Sequence, residues 1–507
     1  MIAALAAGVR RAEARSRELL GISEDLQMER ASLGAFAYFR DLFPEASTFS
    51  VVCGRGANGG DGLALARHAL LAGLCPVVCF PAGEPASDSL ASCQLARVRA
   101  SGGRVVDWAE LATDPHASRP VVDAVFGTGL ARDVDGIWPE VFAWMSARPV
   151  LSLDLPSGVD PDTGRPRAFA VRARATATFG RIKAGLLLDP GRDLAGEVRV
   201  VDIGIPERCW EGEDAIQVLD GEWARGRLPP RPRDAHKGVA GRLLLLAGSD
   251  ELMGAAILAA SAALRSGAGL VEVVSTRSVS QRLAGVLPEA MAFAGIGDGV
   301  DVQDLTRRAE RADAVVAGPG LGTGSDARTA LERILSRCTG PLVLDADAIN
   351  LVAAHPSLSD SFRAVARARG AVATPHPKEA SRLLGVPVGQ LLSNPLEAAR
   401  ALSGRFGAVA VFKTSTPVVA APDGRLAVGT AGHPGMAVGG CGDALAGAVA
   451  ARLAEGEEPF QAACQAARAH ARAGDLAAAA GWRGMSVTDL VGSLPAAWQE
   501  MEADLRD

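Results

Sequence analysis

Short β-rich apolar runs recur through the first two hundred residues: "TFSVVC", "CPVVCF", "RPVVDAVF", "RPVLSLDL", "ATATFG" and "EVRVVDIGIP". Helical patterns such as "GLALARHALLAG" and "SDSLASCQLARVRASGG" separate the early ones. This strand–helix–strand rhythm is that of a mostly parallel sheet with helices on both faces, so the expected fold is an α/β, Rossmann-like three-layer sandwich. A second series follows, with "GRLLLLAGS", "GLVEVVST", "ADAVVAGPG", "GPLVLDAD", "GAVATP" and "AVAVFKTST". Between the series, around residues 219 to 241, lies a proline- and arginine-rich stretch without a clear apolar period. A boundary there divides the chain into residues 1–218 and 219–507.

A chain of 507 residues is longer than one core supports, which agrees with two domains. The net charge of −6 gives no electrostatic reason to expect nucleic acid or an anionic membrane as partner, so any anionic ligand must be held locally. The eight cysteines form no CxxC pair, and several lie in apolar runs, which suits a reducing cytoplasm. The first twenty residues place their arginines after a short apolar run and read as an amphipathic helix, not a secretory signal; no membrane span is expected.

In a parallel sheet, ligands sit at the carboxyl ends of the strands. "GRGANGGDG" follows the first run and resembles a pyrophosphate-binding turn, but Asp61 would repel a phosphate there. Asn58 and Asp61 bracket Gly59 and Gly60, a combination suited to hydroxyls or a cation. "DAVFGTGL" adds Asp123 and the turn Gly127, Thr128 and Gly129, whose free N–H groups suit phosphate. "LDLPSGVD" adds Asp154 and Ser157. Oxygen donors without thiol or imidazole favour a hard cation over zinc. Each aspartate taken singly is as well explained as a turn or helix cap, but the three motifs together are not.

The second series carries "GHPGMAVGGCGDALAGAVAARLAEG". Gly439, Gly440 and Gly442 open a turn at a helix start into an anion hole, and Asp443 places a base beside it, as phosphoryl transfer to a hydroxyl requires. The competing reading of Asp443 is a helix cap. Lys413, in "VFKTSTPVVA", ends a strand before a hydroxyl-rich turn suited to nucleotide phosphates. His376 stands between two prolines, which fix its backbone for stacking or hydrogen bonding. Asp345 and Asp347 are candidates to organise the site through hydrogen bonds or Mg²⁺.

The motifs of residues 1 to 218 are similar to the successive signatures of the NAD(P)H-hydrate epimerase domain. Those from about 230 to 500 resemble, in order, the NAD(P)H-hydrate dehydratase domain, which has a ribokinase-like fold. The resemblance implies a bifunctional repair enzyme. Its first domain interconverts R and S hydrates of NADH or NADPH; its second phosphorylates the S hydrate with ADP or ATP, after which phosphate leaves. ADP is favoured by likeness to bacterial members.

Carried over residue by residue, Asn58, Asp123 and Ser157 are implied K⁺ ligands. Ala57 to Asp61, Gly127 through Leu130, Ala131, Arg132 and Asp133, and Asp154 are implied contacts to the hydrated nucleotide, and Asp123 is our choice of acid/base. In the second domain Asp443 is the implied base, and Ala255, Gly318 and His376 are implied hydrate contacts. Lys413, Thr414, Ser415, Thr416, Pro417 and Gly442 are implied ADP or ATP contacts. The chain departs from the family pattern at Ala57 and His433, where asparagine is usual, and at Cys441, where threonine or methionine stands. Cys441 is expected to be oxidation-sensitive if the helix N-terminus favours its thiolate. A homo-oligomer acting on small molecules is expected. The alternative is a ribokinase-like small-molecule kinase, making a lasting phosphoester, with a non-catalytic nucleotide-binding first domain.

Overall fold

Every run of the first series becomes a strand: Thr48–Cys53, Cys75–Cys79, Val121–Ala124, Val150–Leu153, Ala175–Phe179 and Glu197–Val201. The computed structural model describes residues 1–114, 119–213, 215–228, 231, 233–297 and 302–502. Part of the proline- and arginine-rich boundary stretch, residues 229, 230 and 232, therefore lies outside the described residues. The chain divides into two units, Ile2–Ile216 and Gln217–Asp507 with Met1.

In the first unit a further short strand, Arg104–Val106, lies at one edge of the sheet. The spatial order is Arg104–Val106, Cys75–Cys79, Thr48–Cys53, Val121–Ala124, Val150–Leu153, Ala175–Phe179, Glu197–Val201, parallel throughout. Side chains alternate between two cores. Val51, Cys53, Val122 and Ala124 pack with residues of helices Glu24–Leu42, Ala57–Leu71 and Leu90–Ala100, while Val52, Val121 and Val150 pack with Trp138–Ser146. The sheet thus lies between two helical layers. Sequence order reverses between Thr48–Cys53 and Val121–Ala124, the crevice where such sheets bind ligands. The N-terminal helix, Ala6–Leu20, buries Val9, Ala12 and Ser16. A strand the sequence pattern does not reveal, Ile2–Ala4, precedes it and pairs in parallel with Ile182–Lys183, placing Ala4 opposite Lys183.

The second unit orders its strands Met291–Ala294, Leu270–Ser275, Arg242–Leu246, Ala314–Ala317, Leu342–Leu344, Ala371–Ala373, Val409–Phe412, Val418–Ala420, Leu426–Gly429. The first seven are parallel and the last two antiparallel. Helix Cys441–Ala454 is apolar on nearly all sides and accordingly buried. Its small residues let it approach Met253–Arg265 closely: a Cβ on Gly447 would lie 2.1 Å from the Ala259 carbonyl oxygen. Among the described residues no helix is long and apolar enough to cross a membrane.

Candidate active sites

In the first unit the helix begins earlier than its glycines suggest. Ala57–Leu71 is continuous, so residues 57–61 form its first turn and the connecting turn is only residues 54–56. The glycines serve close packing rather than a phosphate loop. A Cβ on Gly59 would stand 2.0 Å from the Gly54 carbonyl oxygen, and one on Gly62 would stand 2.4 Å from Ala124 Cβ. Ala57 is exposed at the helix start, so its missing amide leaves no buried gap.

Asp123, fully buried, accepts four hydrogen bonds: from Ser152 Oγ at 2.8 Å, Ser157 N at 2.8 Å, Ser157 Oγ at 2.5 Å and Val125 N at 3.3 Å. Burial raises its pKa against the opposing pull of those bonds. Ser157 Oγ in turn accepts from Phe126 N at 2.8 Å. Asn58 is buried with neither Oδ1 nor Nδ2 hydrogen-bonded among the described residues. A Cβ on Gly127 would meet Asp154 Oδ2 at 2.9 Å and Asn58 Cγ at 3.5 Å, so these residues enclose one spot beside Phe126. Oxygen donors of this kind suit a hard cation, and the unpaired Asn58 amide oxygen is the feature that fits one.

The turn expected to offer free amides does so only in part, because Thr128 N donates to Asp154 Oδ2 at 3.2 Å. Beyond it Leu130 is half-buried, and Ala131, Arg132 and Asp133 are exposed. Asp154 itself has a left-handed backbone, φ +66°, which a non-glycine residue adopts only at a cost. Its Oδ1 lies 2.5 Å from Nζ of Lys183, a residue the sequence reading passed over. The signal available was a lysine inside the otherwise apolar "IKAGLLL". Asp61 is half-buried, and its carboxyl makes no hydrogen bond among the described residues. Burial, with the Asp154 and Glu13 carboxylates, holds its pKa well above the usual range against the pull of Lys183.

In the second unit, Gly318, Asp345, His376 and Lys413 follow the adjacent parallel strands Ala314–Ala317, Leu342–Leu344, Ala371–Ala373 and Val409–Phe412, so they meet at one end of the sheet. A Cβ on Gly318 would lie 1.8 Å from the Asp345 carbonyl oxygen, and one on Gly320 would lie 2.8 Å from Ala255 Cβ. Ala255 thus borders the same glycine turn. Gly322 N donates to Asp347 Oδ2 at 2.9 Å, so Asp347 braces that turn.

Asp345 Oδ1 accepts from Lys413 Nζ and Thr374 Oγ1, each at 2.7 Å, while its buried Oδ2 has no hydrogen-bond partner among the described residues. One proton of the Lys413 ammonium is thus taken by Asp345, and a Cβ on Gly442 would lie 3.0 Å from Nζ. Burial opposes the lysine's charge, but Asp345, Glu379 and Asp443 outweigh it and its pKa is raised. In the following turn Ser415 is exposed, Thr414 Oγ1 donates to the Thr416 carbonyl at 2.5 Å, and the buried Thr416 hydroxyl is unpaired among the described residues; Pro417 follows.

His376 caps helix Pro377–Leu384. Its Nδ1 accepts from Lys378 N at 3.1 Å and Glu379 N at 3.3 Å, and its Nε2 lies 3.0 Å from Glu379 Oε1. With both ring nitrogens engaged, the half-exposed imidazole offers its face rather than its edge.

Helix Cys441–Ala454 starts after Gly440 at φ +99°, and no side chain caps it. Asp443 stands in the first turn without serving as a cap, so the capping reading of this residue fails. Burial, reinforced by Asp345 and opposed by Lys413, pushes its pKa up to about 7. Cys441 contradicts the expectation of a favoured thiolate, because burial raises its pKa. His433, the other departure, accepts from Gly435 N at 3.1 Å and packs on Trp482.

A family model described as NAD(P)H-hydrate dehydratase matches residues 243–496, and one described as YjeF-related protein N-terminus matches residues 24–185. The bifunctional NAD(P)H-hydrate repair enzyme Nnr of Escherichia coli (strain K12) is 35% identical over 494 residues, covering 96% of this chain and 92% of the relative. Among solved structures, a ribokinase-like superfamily protein from Enterococcus faecalis V583 aligns with TM-score 0.50 and 28% identity, covering 57% of this chain and 96% of that one. The Bacillus subtilis ADP/ATP-dependent NAD(P)H-hydrate dehydratase co-crystallized with ATP/Mg²⁺ aligns with TM-score 0.49 and 30% identity, covering 57% and 99%.

Proposed function

The chain belongs to the family of bifunctional NAD(P)H-hydrate repair enzymes, and on that premise we infer that it repairs hydrated NADH and NADPH in two steps. Residues 1–218 epimerise the R and S hydrates, and residues 219–507 dehydrate the S form with ADP or ATP. The dehydration chemistry accounts for the second site. Hydroxide is a poor leaving group and phosphate a good one. Asp443 takes the proton of the hydrate's hydroxyl as that oxygen bonds the terminal phosphorus of the nucleotide, releasing AMP or ADP. The phosphate ester then eliminates, restoring the reduced nicotinamide.

The observation that carries this reading is Asp443: uncapping, beside a glycine turn at a helix N-terminus, with a pKa of about 7 suited to a general base. Lys413 holds Asp345 beside that base and, with residues 414–417 and Gly442, faces the nucleotide. Asp345 and Asp347 are the carboxylates available to hold Mg²⁺, which when bound neutralises nucleotide phosphates. His376 offers its ring face to the hydrated nucleotide, and Ala255 and Gly318 shape the wall beside it.

In the first unit Asn58, Asp123 and Ser157 are the proposed K⁺ ligands, and Asp154 contacts the hydrated ring. The hydrogen bonds that Asp123 accepts fix its carboxyl in place, which suits a ligand better than a proton carrier. Asp61, whose carboxyl makes no hydrogen bond among the described residues and has a raised pKa, is the better general acid to protonate the ring nitrogen as the ring hydroxyl gives its proton to water and the ring opens.

The test is to supply pure S hydrate with ADP or ATP. Return of reduced-nicotinamide absorbance with equimolar free phosphate is expected; a lasting phosphoester and no absorbance would sink the dehydratase reading. The kinase alternative is not favoured, since the likeness to bifunctional repair enzymes runs nearly the full length of the chain.

A further inference from the structure

Lys183 is the most deeply buried cation of the first unit's site, with 1% of its side chain exposed. A buried ammonium has three protons to satisfy, and three acceptors surround this one: Asp154 Oδ1 at 2.5 Å, the Phe179 carbonyl at 2.7 Å and Thr178 Oγ1 at 3.2 Å. Nothing remains with which to touch a substrate. Its backbone is pinned by the parallel pairing of Ile182–Lys183 with Ile2–Ala4. Thr178 and Phe179 end the strand Ala175–Phe179, so the ammonium is fixed from two elements.

Asp154 is held as firmly. Its amide donates to the Ala177 carbonyl at 2.7 Å, its φ is +66°, its Oδ1 is taken by Lys183, and its Oδ2 accepts from Thr128 N. A strained backbone maintained by this many bonds marks a side chain whose direction matters. Oδ2 is the oxygen beside Gly127 and Asn58, within the site proposed above for the cation and the hydrated nucleotide. An unpaired carboxylate there would be repelled by the neighbouring Asp61 and Glu13, both of which interact electrostatically with Asp154 and Lys183.

We propose that Lys183 is a positioning residue of the epimerase site, acting solely through Asp154: it anchors Oδ1 so that Oδ2 faces the substrate hydroxyl and ties down the Gly127–Thr128 turn. This rests on the epimerase reading of residues 1–218. Because Lys183→Met alone strands a buried carboxylate, the test is a double-mutant cycle with Asp154→Asn, whose paired variant buries no net charge.

Epimerisation of pure R hydrate by the full chain is measured, with dehydration of S hydrate by the same preparations as the check on folding. Lys183→Met is expected to lower epimerase kcat/KM about 10- to 100-fold. In the paired variant the loss should equal that of Asp154→Asn alone. Losses that multiply would overturn the proposal, as would a Lys183→Met enzyme with unchanged epimerase. Absence of epimerase activity in the unsubstituted chain would instead defeat the underlying reading.

Discussion

Asp443 and Asp61 are both carboxyls with raised pKa, and the proposed reactions use them in opposite protonation states. As a base Asp443 must be ionised, so dehydratase kcat/KM should rise with pH through about 7. Because its folded pKa lies above its unfolded one, the stability it contributes is complete below pH ~4 and is lost as pH rises through about 7. Asp443→Asn is therefore expected to cost about 10²–10⁴ in dehydratase kcat while raising the melting temperature at pH 8. A fall in melting temperature would show that the carboxylate is stabilised where it stands. Asp61→Asn should lower epimerase kcat by a similar factor without destabilising the fold at neutral pH. Asp123→Asn should lower both, since the amide would turn an N–H towards donors from Ser152 and Ser157; thermal melts beside epimerase assays separate the two variants.

At the scale of elements, helix starts position the chemistry. His376→Ala removes the cap of Pro377–Leu384 and should cost about 1 kcal/mol in urea unfolding, with a raised KM for the hydrate in the dehydratase assay. Gly59→Ala would force a Cβ against the Gly54 carbonyl and shift the first turn of Ala57–Leu71. Epimerase activity should fall while dehydratase activity persists; equal loss of both would contradict that reading of the turn. The strands were legible because runs such as "TFSVVC" are apolar and end at glycine or aspartate. Arg104–Val106 and Val418–Ala420 were not read as strands. Asp154, Gly318, Asp345, His376 and Lys413 follow strand ends as read, whereas residues 57–61 are helical. Their mutual bonds were hidden: Lys183 meets Asp154 across 29 positions and Lys413 meets Asp345 across 68, separations that only the folded sheet closes. Local sequence likewise could not show that the first turn of Ala57–Leu71 is helical, because glycines there read as loop until the close approach of Gly54 explains them.

For the whole molecule, the central claim is that one chain carries both repair steps, with separable machinery in residues 1–218 and 219–507. The direct measurement supplies pure R hydrate to the full-length enzyme and to its Asp443→Asn variant. Without nucleotide, both should convert R hydrate to a mixture of epimers. With ADP or ATP, only the unsubstituted enzyme should go on to restore reduced-nicotinamide absorbance with release of free phosphate. R hydrate left untouched, while S hydrate is repaired normally, would contradict the account.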